Sequence, residues 1–424
     1  MSDRIRDVLV LDHIGYRYYR DTDGRPFLPA DRNRVRLVTD IRKVDQAHGD
    51  ELAAITGVPR GDEALLDAAA RFHHTTAGNA LDGVVAISEG LLLAAARLRD
   101  RLGVPGPTER QVLRYRDKVT MKEHLRDHGV RVPDFAPFTE PDARRLLRRH
   151  GRVVVKPRRG ESSAGITFLD DEDALHRLLA TAPPDPAGYE VEERVGGDLF
   201  HIDSVVRDGV PLAATAGRSV QETTSYRRLE AFRDVAVGPG RTLDRLLRFN
   251  RDVLACYPDF SGVTHLEVFL DADEVCFCEI GGRPGGGGII PGFQSRTGVN
   301  LDEMTIRAQL GDTVPEPPPP AAHLTGYALV YAPAGRLTAD LTPPAADWII
   351  DTQLRFRVGD VMPRPAGWNQ AAAIVTVRGA SEAEVESRLD QVIEAVQDRL
   401  RGSARSDGPG AVAGTGPGTG GVAG

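Results

Sequence analysis

Residues 265–288 read HLEVFLDADEVCFCEIGGRPGGGG and raise a chemical question: two carboxylates, Glu267 and Glu279, sit in apolar, strand-like runs. A hairpin closing around Asp273 sets Glu267 opposite Glu279, with Val268 and Cys278 on the other face. Directly opposed residues of an antiparallel pair have Cβ atoms about 4.5–5.5 Å apart. Two carboxylates at about 4 Å repel by roughly 4 kcal/mol at an effective dielectric of 20. Such a pair calls for a proton or a cation. Two hard oxygen ligands at a cleft suit magnesium, which is held by one or two carboxylates together with phosphates. The bland alternative is a solvated face of ordinary strand glutamates.

Lysine occurs only at Lys43, Lys118, Lys122 and Lys156; every other basic residue is arginine. Lys156 ends the β-branched run RVVVKP, and the loop RRGESSAGI follows it. Gly160, Ser162, Ser163 and Gly165 would let backbone N–H groups approach a phosphate closely. The loop is not a Walker A sequence. Lys118 lies in RYRDK on a helical stretch, and YEVEERVGGD is an acidic strand running into Gly196 and Gly197. His201 and Asp203 alternate on the next strand and read as a hydrogen-bonding pair rather than a metal site. His265 shares a strand face with Glu267; it either orients a substrate, assists proton removal, or packs through hydrogen bonds. Arg218, Tyr226, Arg227 and Arg228 lie in a polar segment that either reaches substrate or is a solvated loop.

The elements that must position these residues follow from periodicity. Strand-like 7–16, 33–41 and 82–90 alternate with helical 62–76 and LLLAAARLRDRLG, which predicts a parallel sheet covered by helices. Asp12, His13, Ser88 and Glu89 fall near strand ends, where open α/β sheets place ligands, although loop polarity explains them equally well. No G-x-G-x-x-G follows the first strand. VPGPTE breaks the chain, and 108–129 reads as one helical stretch ending at Gly129. The strand-rich 189–220, with a turn at 207–210, and the helix RTLDRLLRFNRDVLACYP precede the 265–288 segment. An α+β piece follows the linker PEPPPP and ends in a helix reaching Leu400; the tail is glycine-rich and is expected to be disordered.

The order of these pieces is specific where each alone is not: an R-D-K helix, a V-V-V-K-P strand, a Gly/Ser loop, E-E-R-V-G-G-D, H-L-E, then E-I-G-G-R-P-G-G. It resembles the ATP-grasp superfamily, in particular its carboxylate–amine ligases and L-amino-acid ligases. The resemblance implies an α/β and α+β multidomain chain. It would comprise an N-terminal parallel α/β domain (1–107), a small ATP-grasp subdomain with a flap (108–190) and a large subdomain with the metal site (191–314). A C-terminal lid-like α+β module (321–402) and the tail (403–424) would follow. It further implies that Lys118 and Lys156 contact ATP. The loop from Gly160 to Gly165, with Ser162 and Ser163, matches the flap over the phosphates. Glu192, Glu193 and Val195 match the hinge against adenine, and Asp198 lies near the ribose position. Glu267 and Glu279 match the carboxylates for Mg2+, with Mn2+ as a substitute. Arg283 matches the arginine that meets a substrate carboxylate or acyl phosphate. Gly281 departs from the pattern, which often has a metal-ligating asparagine there. The run Gly285–Gly288 reads as a backbone-lined substrate pocket.

The implied reaction is ADP-forming. A carboxylate attacks the γ-phosphate of ATP, and an amine then displaces phosphate from the acyl phosphate. Arg283, Lys156 and His265 are the catalytic candidates, and the substrates are a small-molecule carboxylate and an amine. Alternatives are a biotin-carboxylase-like carboxylation or phosphoryl transfer on the same fold, or a non-catalytic nucleotide-binding module. A homodimer is a family-level expectation.

Composition sets the outer bounds. At about 150 residues per domain, 424 residues suggest two to three domains. A net charge of −8 argues against nucleic acid or an acidic membrane as general partner. No apolar run approaches the roughly 18 residues of a membrane helix, so a cytoplasmic protein is expected. Cys256, Cys276 and Cys278 are too few for a disulfide framework, and the last two alternate on one strand face as small apolar residues.

Overall fold

A computed structural model describes residues 4–59, 61, 64–65, 67–69, 81–181, 186–272 and 274–406. Asp273, most of the helix expected over 62–76, and the tail beyond 406 lie outside the described residues.

The first apolar run forms Arg6–Leu11, buried from Val8 to Leu11. It lies inside a parallel sheet ordered Leu52–Val58, Asn33–Asp40, Arg6–Leu11, Gly83–Val85. Helices on both faces of a parallel sheet explain its unbroken Val/Leu character. Leu52–Val58 was not legible: it is an edge strand of small, half-exposed residues. After Leu11 the chain turns on Asp12, whose buried carboxylate accepts the N–H groups of Ile14 and Gly15, each at 3.0 Å, and the Thr39 hydroxyl at 2.7 Å. This Asp12 is thus a turn-forming group.

The helical stretch expected over 108–129 is two helices, Glu109–Leu113 and Lys118–Asp127. Asp117 caps the second by accepting from the N–H groups of Val119 and Thr120. Lys118 therefore opens a helix rather than lying within one. The small antiparallel sheet follows, ordered Phe135–Pro137, Tyr189–Glu193, Val153–Pro157, Thr167–Leu169.

The large sheet has eight strands in the order Glu274–Gly281, Gly262–Asp271, Asp198–Arg207, Val210–Ser219, Phe232–Ala236, Leu324–Val330, Ala373–Gly379, Ile349–Leu354. Residues 321–402 hold the strands Leu324–Val330, Ile349–Leu354 and Ala373–Gly379 and most of the last helix, and these strands extend this sheet: Leu324–Val330 pairs antiparallel with Phe232–Ala236. Helix Arg241–Ala255 buries Leu246, Val253 and Leu254 with Ile202, Val206 and Leu266. Ile289–Thr297 and Leu301–Gln309 cover Val205, Val263 and Tyr327. The last helix, Glu382–Ser406, buries Val385, Leu389 and Val392 against Ala328, Val375 and Val377, and continues into residues expected to belong to the tail.

Asp302, second residue of Leu301–Gln309, is buried, and desolvation raises its carboxyl pKa to about 7. The folded pKa lies above the usual value of about 3.9. Stability from this group is therefore whole below pH 4 and is lost as pH rises through 7. Relative to wild type, Asp302→Asn should gain stability between pH 5 and pH 8, by at most about 4 kcal/mol. The ceiling is not reached where the helix N-terminus favours the ionised form. Denaturant titrations of both proteins across that range check this; parallel curves would refute it.

Candidate active site

The strands Gly262–Asp271 and Glu274–Gly281 place Glu267 directly opposite Glu279. They do so by a route the sequence did not suggest. Asp271 pairs with Glu274, so the reversal is one residue tighter than a loop centred on Asp273. A bulge next to Glu267 then restores the opposition: Val268 pairs with Phe277, leaving Cys278 as the extra residue. The bulge shifts the alternation, so that Phe277 and Ile280 both enter the core with Val268. Cys278 does not share the face of Val268. Burial raises its thiol pKa and the charges acting on it are Lys156, Glu267, Glu279 and Glu192, which places it toward the cleft.

Glu267 and Glu279 keep side-chain exposures of 25% and 29%. Burial alone would raise the Glu279 carboxyl, but Lys118 and then Lys156 hold it down at about 2. Lys118 Nζ lies 2.9 Å from Glu279 Oε2 and donates to the Gly160 carbonyl at 2.9 Å. One ammonium thus ties the Gly160–Gly165 loop to the carboxylate pair. Two opposed, partly exposed carboxylates with one fully ionised form a donor set that fits a hard divalent cation.

Gly281 has a structural reason. A Cβ there would lie 3.2 Å from Glu89 Oε2, so the Glu89 carboxylate takes the space an asparagine side chain would need. Glu89 is held from both sides, by Arg283 Nε and by Arg116 Nε at 3.3 Å. Burial would lower the Arg283 pKa, but Glu89 raises it, and the guanidinium stays charged. The sequence had flagged Glu89 without its partner.

Lys156 is buried, yet it sits in a cluster that the sequence reading missed in part. Its Nζ lies 2.5 Å from Glu192 and 3.8 Å from Glu190. Lys122, fully buried, contacts Glu190 at 2.7 Å and also Glu192. Burial works against the charge on Lys156, but Glu192 together with Cys278, Glu190 and Glu279 outweighs it and raises its pKa. The scarcity of lysine and the alternation of Glu190 with Glu192 were the available signals for Lys122 and Glu190. Glu193 points away from this cluster. It accepts the Asp134 N–H at 3.0 Å and pairs with Arg131 at 3.3 Å. Val195 is half-buried, and Asp198 is exposed at the start of its strand.

The Gly160–Gly165 loop is pinned at its base. Arg158 and Arg159 pair with Asp117 at 2.9 and 3.2 Å, and a Cβ on Gly165 would meet the Pro157 ring at 2.9 Å. Ser162 and Ser163 both adopt left-handed φ, 56° and 58°, and Ser163 Oγ donates to Thr223 Oγ1 at 2.7 Å. Successive left-handed serines store backbone strain of order 1–3 kcal/mol each. In the Gly285–Gly288 run, Gly286 is exposed and Gly288 lines a small cavity with His201 and Asp203. Added Cβ atoms would meet His265 and Ile289 at Gly285, Trp368 at Gly286, and Tyr327 at Gly287 and Gly288. Arg218 pairs with Glu386 at 3.0 Å, and Tyr226 is buried in the core beside Val205 and Phe232. His265 lies against Glu267 and Asp203.

No protein-family model matches the chain. A curated relative, the L-arginine-specific L-amino acid ligase of Bacillus subtilis, is 22% identical over 298 residues, covering 66% of this chain and 71% of that protein. Among solved structures, the L-amino acid ligase of Bacillus licheniformis superposes with TM-score 0.69 at 16% identity, over 93% of this chain and 98% of that one. Carboxyaminoimidazole ribonucleotide synthase of Aspergillus clavatus, complexed with ATP, gives 0.68 at 18% identity, over 94% and 99%. The biotin carboxylase domain of Hydrogenobacter thermophilus 2-oxoglutarate carboxylase, solved with MgADP, gives 0.67 at 15%, over 95% and 90%. The chain has the ATP-grasp fold. Within it, both the curated relative and a solved structure that covers nearly the whole chain are L-amino acid ligases, and these are what it resembles. Among the described residues no helix is long and apolar enough to cross a membrane.

Proposed function

We propose that the protein is an ADP-forming ligase that joins a small carboxylic acid, such as an amino acid, to an amine through an acyl phosphate. The observation that carries this reading is the arrangement around Glu279. Its strand partner is Glu267, Lys118 is ion-paired to it, and the charges of Lys156 and Arg283 act on it. Lys118 and Lys156 would bind the anionic phosphates, with the Gly160–Gly165 flap covering them. Glu192 would stand at the hinge toward the base. Glu267 and Glu279 would hold Mg2+, which when bound offsets charge on the transferred phosphoryl group. Arg283, charged and half-enclosed, would pair with the substrate carboxylate and then with the acyl phosphate. The flap would exclude water and so protect the acyl phosphate from hydrolysis. The carboxylate oxygen bonds to the γ-phosphorus as ADP leaves; the nitrogen of the neutral amine then bonds to the acyl carbon, the carbon–oxygen bond to phosphate breaks, and one amine proton is released to solvent. No protein nucleophile is needed.

The test is trapping. With ATP, Mg2+, hydroxylamine and a panel of amino acids and other carboxylates, an accepted acid should yield its hydroxamate and an equal amount of ADP. Formation of AMP in place of ADP would refute the reading, as would ADP release with no hydroxamate from any acid.

A further inference from the structure

Beneath the carboxylate pair runs a continuous chain of acid and imidazole side chains. His201 Nε2 lies 3.0 Å from Asp234 Oδ1, and His201 Nδ1 lies 2.6 Å from Asp203 Oδ2. The other oxygen of Asp203 lies 2.8 Å from His265 Nδ1, and His265 Nε2 lies 3.3 Å from Glu267 Oε1. Its residues come from three strands, Phe232–Ala236, Asp198–Arg207 and Gly262–Asp271, and between the first two it passes over Val210–Ser219 at Gly217. All of its members except Glu267 are buried.

We propose that Asp234, His201, Asp203 and His265 are positioning residues that fix the Glu267 carboxylate for cation binding. This rests on the reading of Glu267 as a metal ligand. Every ring nitrogen in the chain faces a carboxylate oxygen, so neither imidazole can turn without losing two hydrogen bonds. Asp203 gives one oxygen to each ring and so locks them together. The backbone is shaped to admit the rings. A Cβ on Gly217 would lie 2.3 Å from His201 Nε2 and 2.4 Å from Asp234 Oδ1, and one on Gly285 would lie 2.6 Å from His265 Nδ1. The opening glycine of the Gly285–Gly288 run thus makes room for His265. Carboxylates that ligate metals are generally held by such outer partners, and losing one weakens metal binding about 10–100-fold. His201, Asp203 and His265 also have the donor types of a metal centre. Here their facing atoms are already engaged with one another at hydrogen-bond length, and the adjoining cavity is only about 30 Å³.

The experiment measures Mn2+ binding in the presence of ADP by electron paramagnetic resonance. It compares wild type with Glu267→Gln, Asp203→Asn and Asp234→Asn. Asp203→Asn should bind Mn2+ about 10–100-fold more weakly than wild type. ADP affinity without metal should be unchanged. In turnover, the Mg2+ concentration for half-maximal rate should rise by a similar factor while kcat at saturating Mg2+ moves much less. Asp234→Asn, at the far end of the chain, should show the same direction with a smaller effect, and decides the matter if Asp203→Asn does not fold. Wild-type affinity in the folded Asp203→Asn or, failing that, in Asp234→Asn overturns the proposal while leaving the Glu267 reading intact. Unimpaired binding by Glu267→Gln overturns both. One equivalent of zinc held by purified wild type and lost in Asp203→Asn also overturns it, because the cluster would then itself be a metal centre.

Discussion

Replacing Glu279 with glutamine should lower turnover at saturating Mg2+ by at least about 10³-fold, with little change in melting temperature. The size follows from the role. Metal stabilisation of a transferred phosphoryl group amounts to several kcal/mol, and each 1.36 kcal/mol is tenfold in rate. The carboxamide keeps the shape but loses the charge, which is fully developed in the folded protein because Lys118 and Lys156 hold the carboxyl at about 2. The fold should tolerate the change because two effects oppose each other. Lys118 loses its partner at 2.9 Å, while Glu267 loses a like charge directly across the sheet. ADP release with an accepted acid and amine gives the rate, and near-ultraviolet circular dichroism gives the fold. Turnover within tenfold of wild type would mean that the metal is held elsewhere.

Lys122→Met should produce the largest loss of stability, about 3–5 kcal/mol in the unit built on the small sheet. Lys122 is wholly buried; both oxygens of Glu190 lie 2.7 Å from its Nζ, Glu192 is also in contact, and the Phe135 ring centroid is 5.1 Å away. Removing it strands two carboxylates with only Lys156 between them. Desolvation already raises the Glu190 carboxyl, with Lys122 as the main force opposing that rise. In the variant one proton should therefore be taken up on folding near neutral pH. Adding Glu190→Gln should restore most of the loss, since breaking a buried pair costs far more than replacing it whole. Urea unfolding of the single and double variants supplies the numbers. A single variant within 1 kcal/mol of wild type would show that water reaches the cluster. The same change should also displace Lys156 and weaken nucleotide binding.

Strand-level features close to the carboxylates were legible because alternation and local pairing are written in adjacent residues. The opposition of Glu267 and Glu279 is the best case, although the tight reversal and the bulge were two compensating departures from the simple hairpin. The start of a helix at Lys118 was misread because the pattern 108–129 stays helical throughout, and only the Asp117 cap breaks it. Contacts between distant segments were out of reach. Nothing in the sequence near Gly281 announces Glu89, and nothing in Leu324–Val330 announces pairing with Phe232–Ala236. The His201–Asp203 pair was recognised, but its extension to Asp234 and His265 depends on which strands become neighbours. Periodicity does not state that.

The proline-rich linker at 315–320 invites the idea that the chain beyond it is an exchangeable module. The sheet order forbids a clean exchange. Phe232–Ala236 has Val210–Ser219 on one side and takes its other partner from beyond the linker. Cutting there would bare a row of unpaired N–H and C=O groups, the kind of edge that recruits other chains. Recombination between relatives at this linker would thus join half-sheets across a new seam. The last quarter of the chain is thus tied by backbone hydrogen bonds to strands that precede the linker, and the two sides of the linker have to be inherited together.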